Sequence, residues 1–153
     1  RISDQISEIY AYAEEHGLTV VEGVATNTSE VQQAAQVLAD KVDAIFAPND
    51  NTIAGAMAAV SEVTKKAKVP LYTGADSMVS DGGFATVGID YTELGKETAN
   101  MADAILKGTT PADIPVKVFK DDLNTYINET TAAEIGVTIP AEILNGERTV
   151  LMQ

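Results

Sequence analysis

Ile2, Ile6, Ile9 and Ala13 recur at helical spacing, and Gly17 stands where a left-handed residue closes a helix. The chain therefore opens on a helix. In a parallel α/β protein a helix follows the strand on which it packs, so the pattern also predicts a strand upstream of Arg1. Residues 18–24 follow as a short strand. Thr28-Ser29-Glu30 then starts a helix whose apolar face carries Val31, Ala34, Ala35 and Leu38. The run Val42-Asp43-Ala44-Ile45-Phe46-Ala47 reads as a buried strand, and Asn49-Asp50-Asn51-Thr52 caps a long Ala-rich helix reaching Ala67. A third strand covers residues 69–73 and ends in Gly74-Ala75-Asp76-Ser77. A fourth covers residues 84–89 and leads into a helix over residues 92–106, closed by Lys107-Gly108.

Alternating strands and helices predict an α/β fold, a mainly parallel sheet with helices on both faces in three α/β/α layers. Beyond Gly108 the pattern shortens. Val116-Lys117-Val118-Phe119 and Thr125-Tyr126-Ile127 read as strands, residues 130–135 as a helix ended by Gly136, and Ile139-Pro140 begins a last small element. No repeat or low-complexity stretch divides the 153 residues, which read as one unit.

Charge narrows the function. With 23 acidic against 10 basic residues the formal net charge is −13, which repels nucleic-acid phosphates and anionic lipid heads. The absence of cysteine removes disulfides, thiolate metal sites and thiol catalysis while leaving the compartment open. No apolar run approaches the roughly 18 residues that span a bilayer.

Ligands of open parallel sheets bind beyond the carboxyl ends of the strands, and that rule selects three loops. The first, Pro48-Asn49-Asp50-Asn51-Thr52, sets two amides, a carboxylate and a hydroxyl at a helix start. Free N–H groups there favour an anion such as an α-carboxylate, and Asp50 suits an ammonium group. A loop of this mixed kind fits a zwitterion, although each of its residues is equally a routine helix cap. The second loop, Asp76-Ser77-Met78, brings Asp76 to the same edge, with a cap or turn as its plain alternative. The third, Gly88-Ile89-Asp90-Tyr91, adds an acid and an aromatic ring that offers stacking and a hydroxyl if it faces the cleft, with simple packing as its plain alternative.

Catalytic patterns are thin. His16, the sole histidine, falls at a helix end beside Gly17 and reads as a solvated residue. Nucleophile elbow, Walker loop, His-Glu-x-x-His and dinucleotide glycine motifs do not occur. Asp50 and Asp76 without a third ligand make a poor metal or acid–base pair, and neither metal nor cofactor is expected.

The segment Asn27-Thr28-Ser29-Glu30-Val31-Gln32-Gln33-Ala34-Ala35 with Asp43-Ala44-Ile45-Phe46-Ala47-Pro48-Asn49-Asp50-Asn51-Thr52 resembles the ABC-transporter substrate-binding family that includes the binding lipoproteins of tryptophan and tyrosine transporters. Gly88-Ile89-Asp90-Tyr91-x-x-Leu94-Gly95, Ile105-Leu106-Lys107-Gly108, Ile127-Asn128 and Ala133-x-x-Gly136-Val137-x-Ile139-Pro140 continue the resemblance in order, over nearly the whole chain. It implies a type I periplasmic-binding-protein fold, two α/β lobes closing on a solute, with this chain as the second lobe and the first lobe and first strand lying outside it. Residues 86–108 would pack with that other lobe. It further implies an extracytoplasmic, lipid-anchored or periplasmic, non-enzymatic protein that delivers a small molecule, an aromatic amino acid, to a membrane ABC permease. Carried over residue by residue, the site falls on Asn49, Asp50, Asn51, Thr52, Asp76, Ser77, Asp90 and Tyr91. Half of such a cleft would bind weakly.

Two other readings share the architecture. A LacI-type effector lobe requires a DNA-binding head upstream, and the acidic charge disfavours it. A flavodoxin-like enzyme requires a phosphate loop or an activated nucleophile, and the strand ends carry neither.

Overall fold

In a computed structural model the backbone is described for residues 2–153 and side chains from Asp4 onward, so Arg1 and the Ile2 side chain of the expected opening stripe lie outside the described residues. Five strands form one sheet in the order β1 (Ile45–Ala47), β2 (Leu71–Thr73), β3 (Ala85–Gly88), β4 (Asn124–Asn128) and β5 (Thr149–Met152). β1–β2, β2–β3 and β4–β5 are parallel, and β3–β4 is antiparallel. The fold is thus α/β with a mostly parallel sheet.

Paired residues share a sheet face, so Ile45 with Leu71 and Ala47 with Thr73 point one way, and Phe46 with Tyr72 the other. The first set is buried in a core with Val31 and Ala35 of α2 (Thr28–Ala39) and Met57 and Val60 of α4 (Met57–Ala67). The second is not. Phe46 is 45% exposed and Tyr72 42%, so over β1 and β2 the second face of the sheet is largely uncovered. A smaller core joins Phe84, Ala85 and Ile127 to Ala132 and Ile135 of α7 (Glu129–Ile135).

Local chemistry sets the helix ends. The side chain of Asn27 accepts from the Ser29 and Glu30 N–H groups, starting α2 as the Thr28-Ser29-Glu30 signal implied. Glu30 reaches back to the N–H and hydroxyl of Thr26, and these hydrogen bonds, the backbone one foremost, hold its carboxyl below the ordinary range. Asn128 caps α7 through the Thr131 N–H and donates to the Val79 carbonyl, tying the end of β4 to α5 (Asp76–Ser80).

The chain departs from the sequence pattern in several places. Residues 18–24 form no ladder; Gly23 lies against Ala34 and Leu38 of α2, and among the described residues no strand pairs with the outer edge of β1. Residues 116–119 also form no ladder. Alternating apolar residues give strand propensity, but a strand forms only beside a partner, and neither segment has one among the described residues. The Ala-rich helix is split at Gly55 and Ala56 into α3 (Asn51–Ala54) and α4, in keeping with the low helix propensity of glycine. The unforeseen β5 exists through its pairing with β4.

Among the described residues the two longest helices are barely packed. α1 (Ile2–His16), ended as expected by Gly17 at φ 67°, buries only Ala13 among its described side chains. α6 (Tyr91–Leu106) buries no residue and packs substantially on no other helix or strand. A groove beside it is lined by Leu94, Met101, Ile105, Ile114 and Val116. Among the described residues no helix is long and apolar enough to cross a membrane.

Leu71, 1% exposed at the centre of the main core, is the most direct probe of this architecture. Leu71→Ala is expected to lower the unfolding free energy by about 2–5 kcal/mol in urea denaturation. A loss under about 1 kcal/mol would contradict its burial.

Candidate functional site

Because β1, β2 and β3 run parallel, their carboxyl ends lie on one edge of the sheet, and the three loops that leave them are neighbours. Residues 48–50 follow β1, residues 74–75 lead into α5, and residues 89–90 lead into α6. Asp50, Asp76, Asp90 and Tyr91 therefore come to one edge, as the pattern required.

Asn49 joins the loops. Its side-chain amide donates to the Tyr91 hydroxyl at 3.4 Å, and its backbone lies against Gly74. A Cβ built at Gly74 falls inside the contact distance of the Asn49 nitrogen and 3.1 Å from the Asn49 Cα and Cβ. The Gly74 N–H donates to the Ala47 carbonyl at 2.9 Å, holding the second loop to the end of β1.

The carboxylates have structural tasks as well. Asp50 Oδ1 accepts from the N–H groups of Thr52 at 2.8 Å and Ile53 at 3.3 Å, capping the single turn of α3. Two of the N–H groups at this helix start, those of Thr52 and Ile53, are thus engaged by Asp50 itself, in line with the capping alternative. Asp90 Oδ1 caps α6 in the same way through Thr92 and Glu93. Asp76 opens α5 and accepts from the Ser77 N–H at 2.8 Å. In each case these hydrogen bonds use the Oδ1 oxygen, and the second carboxylate oxygen takes no part in them. Asn51 is exposed at the start of α3, Thr52 is half-buried, Ser77 is exposed, and Tyr91 presents a ring that is 47% exposed.

Gly74 and Tyr126 escaped the sequence reading. Tyr126 is buried on β4 beneath the third loop, where its hydroxyl accepts from Asn124 at 3.3 Å and donates to the Ile89 carbonyl at 3.5 Å. No sequence signal places β4 beside β3, and nothing in a Gly-Ala dipeptide announces a close backbone approach. Among the described residues no group of three or more acidic or histidine side chains is arranged to hold a metal ion.

Polar loops and an exposed ring gathered at one carboxyl edge of a mostly parallel sheet define the small-molecule-binding class of α/β lobes. The chain matches the family described as ABC transporter substrate binding protein over residues 2–150, and it belongs to that family. It is 36% identical over 127 residues to a tyrosine-binding protein of Clostridioides difficile, an alignment that covers 83% of this chain and 36% of that protein. It superposes on an ABC domain from Streptococcus pneumonia in complex with L-Trp with a TM-score of 0.85 at 40% identity. A conserved domain protein from Vibrio cholerae gives a TM-score of 0.86 at 34% identity. A ligand-free, open substrate-binding protein with adhesive properties from Clostridium difficile gives 0.75 at 31%. The chain spans 50% of each of these three solved chains, and so matches one half of them. Family membership places it among binding proteins and not enzymes, and sets aside the repressor-lobe and flavodoxin-like readings.

The double use of Asp50 is separable by mutation. Asp50→Ala is expected to cost about 1 kcal/mol of stability through loss of the cap, whereas Asp50→Asn, whose side-chain oxygen caps equally well, should unfold within about 0.5 kcal/mol of the parent in urea. Equal losses in the two variants would mean that the cap contributes nothing.

Proposed function

We propose that the chain is the second lobe of a two-lobed, extracytoplasmic solute-binding protein that holds an aromatic amino acid between its lobes and delivers it to a membrane ABC permease. The observation that carries the proposal is the meeting, through Asn49, of a loop bearing Asp50 with a loop bearing the exposed Tyr91 ring. An amino acid needs such a pairing: a carboxylate for its ammonium group at one end and an apolar face for its side chain at the other. The tyrosine-binding relative and the L-Trp complex support the same ligand class.

In this proposal Asp50 or Asp76 takes the ammonium group through its unengaged oxygen, and Thr52 with Ser77 takes the carboxylate. Tyr91 stacks on the ring, while Asn49, Asn51 and Asp90 shape the surrounding wall. Residues 86–108 dock on the other lobe. Supporting that docking, Leu106 is 87% exposed and Val116, across the groove from α6, is 88% exposed, although both are apolar. Attachment to the outside of the membrane as a lipoprotein belongs to the same proposal, by likeness to the family.

A thermal-shift screen of the two-lobed protein against the amino acids, with sugars and nucleosides as controls, tests the reading. Tyrosine, tryptophan or phenylalanine should stabilise it selectively, by about 2.7 kcal/mol at a hundredfold excess over the Kd. Asp50→Asn or Asp76→Asn, whichever removes the carboxylate facing the ammonium group, should abolish that rise, and Asp50→Asn should keep the stability of the unliganded protein. Stabilisation by a sugar or nucleoside, and by no amino acid, would overturn the ligand class.

A further inference from the structure

We propose that Gly74 is a positioning residue of the ligand site, which sets the place of the Tyr91 ring through Asn49 without touching it. The φ of Gly74 is not positive, so glycine is required there for space and not for conformation. Its would-be Cβ meets the backbone of Asn49, which cannot swing aside as the end of a flexible side chain does. Gly88, at the end of β3, meets nothing within 4 Å, so of the two glycines at these strand ends Gly74 is the one without room for a side chain.

From Asn49 the connection continues to the third loop. The Asn49 amide holds the Tyr91 hydroxyl at 3.4 Å, a long hydrogen bond that a shift of a few tenths of an ångström breaks. Gly74 thus acts in series with Asn49 on a ring 17 residues further along the chain. Asp50 follows Asn49 directly, so the same contact fixes the spacing between the carboxylate for the ammonium group and the wall for the side chain. A methyl group at position 74 would press Asn49 away, release the Tyr91 hydroxyl and change that spacing. The ligand consequence rests on the aromatic-amino-acid reading above; the coupling of positions 74, 49 and 91 does not.

Fluorine NMR of the chain labelled with 3-fluorotyrosine reads the coupling directly, with the Tyr91 line assigned through Tyr91→Phe. Gly74→Ala and Asn49→Ala should both move the Tyr91 line, to a common position characteristic of a released ring, while the Tyr10 and Tyr12 lines stay. In the two-lobed protein Gly74→Ala should weaken L-tyrosine binding about tenfold. A Tyr91 line left in place by Gly74→Ala in folded protein overturns the proposal. If Gly74→Ala does not fold, Asn49→Ala decides, and an unmoved Tyr91 line again overturns it. If both variants move the line but the wild-type two-lobed protein binds no aromatic amino acid, the coupling stands and the functional reading fails.

Discussion

The parallel alignment of β1, β2 and β3 is the constraint on which the rest of the site depends. Ile45 opposite Leu71 and Ala47 opposite Thr73 bury one sheet face under α2 and α4, and a one-residue slip would turn that face outward and bring Phe46 and Tyr72 in. With the register fixed, the three strands direct their carboxyl ends to one edge, and Asn49 comes beside both Gly74 and Tyr91 despite their separation in the chain. The core therefore determines the geometry of the site without contributing a side chain to it.

This division of labour explains what was legible in the sequence. The short apolar runs around Ile45, Leu71 and Ala85 identify strands because each of them sends apolar side chains into one of the two cores. Asp50, Asp76 and Asp90 follow those runs, so their arrival at one edge could be read directly. The capping of α3 by Asp50 was legible only as an alternative and that of α6 by Asp90 went unread, since the same residue types cap helices and bind ligands. Pairings between distant segments were not legible. β5 exists because β4 offers it an edge, residues 18–24 and 116–119 lack one among the described residues, and the requirement for glycine at position 74 arises from a backbone 25 residues earlier.

The exposed apolar surfaces fall into two groups. On the sheet, Phe46 and Tyr72 lie uncovered beside the outer edge of β1, with which no strand pairs among the described residues; away from it, α6 and the segment after Gly108 enclose a groove of their own. The groove is lined by none of Asp50, Asp76 and Tyr91, so the apolar groove and the polar loop edge have different uses. The first suits packing against more protein, and the second suits recognition of a small molecule with charged ends.

Whether the three strand-end loops are the ligand site is decided most directly by a backbone amide NMR titration of the 15N-labelled two-lobed protein with L-tyrosine. Shifts concentrated at residues 49–52, 74–77 and 90–91 are the expected result. Shifts confined to the groove between α6 and residues 111–117, with the loops unmoved, would contradict the site and with it the place given to Asn49.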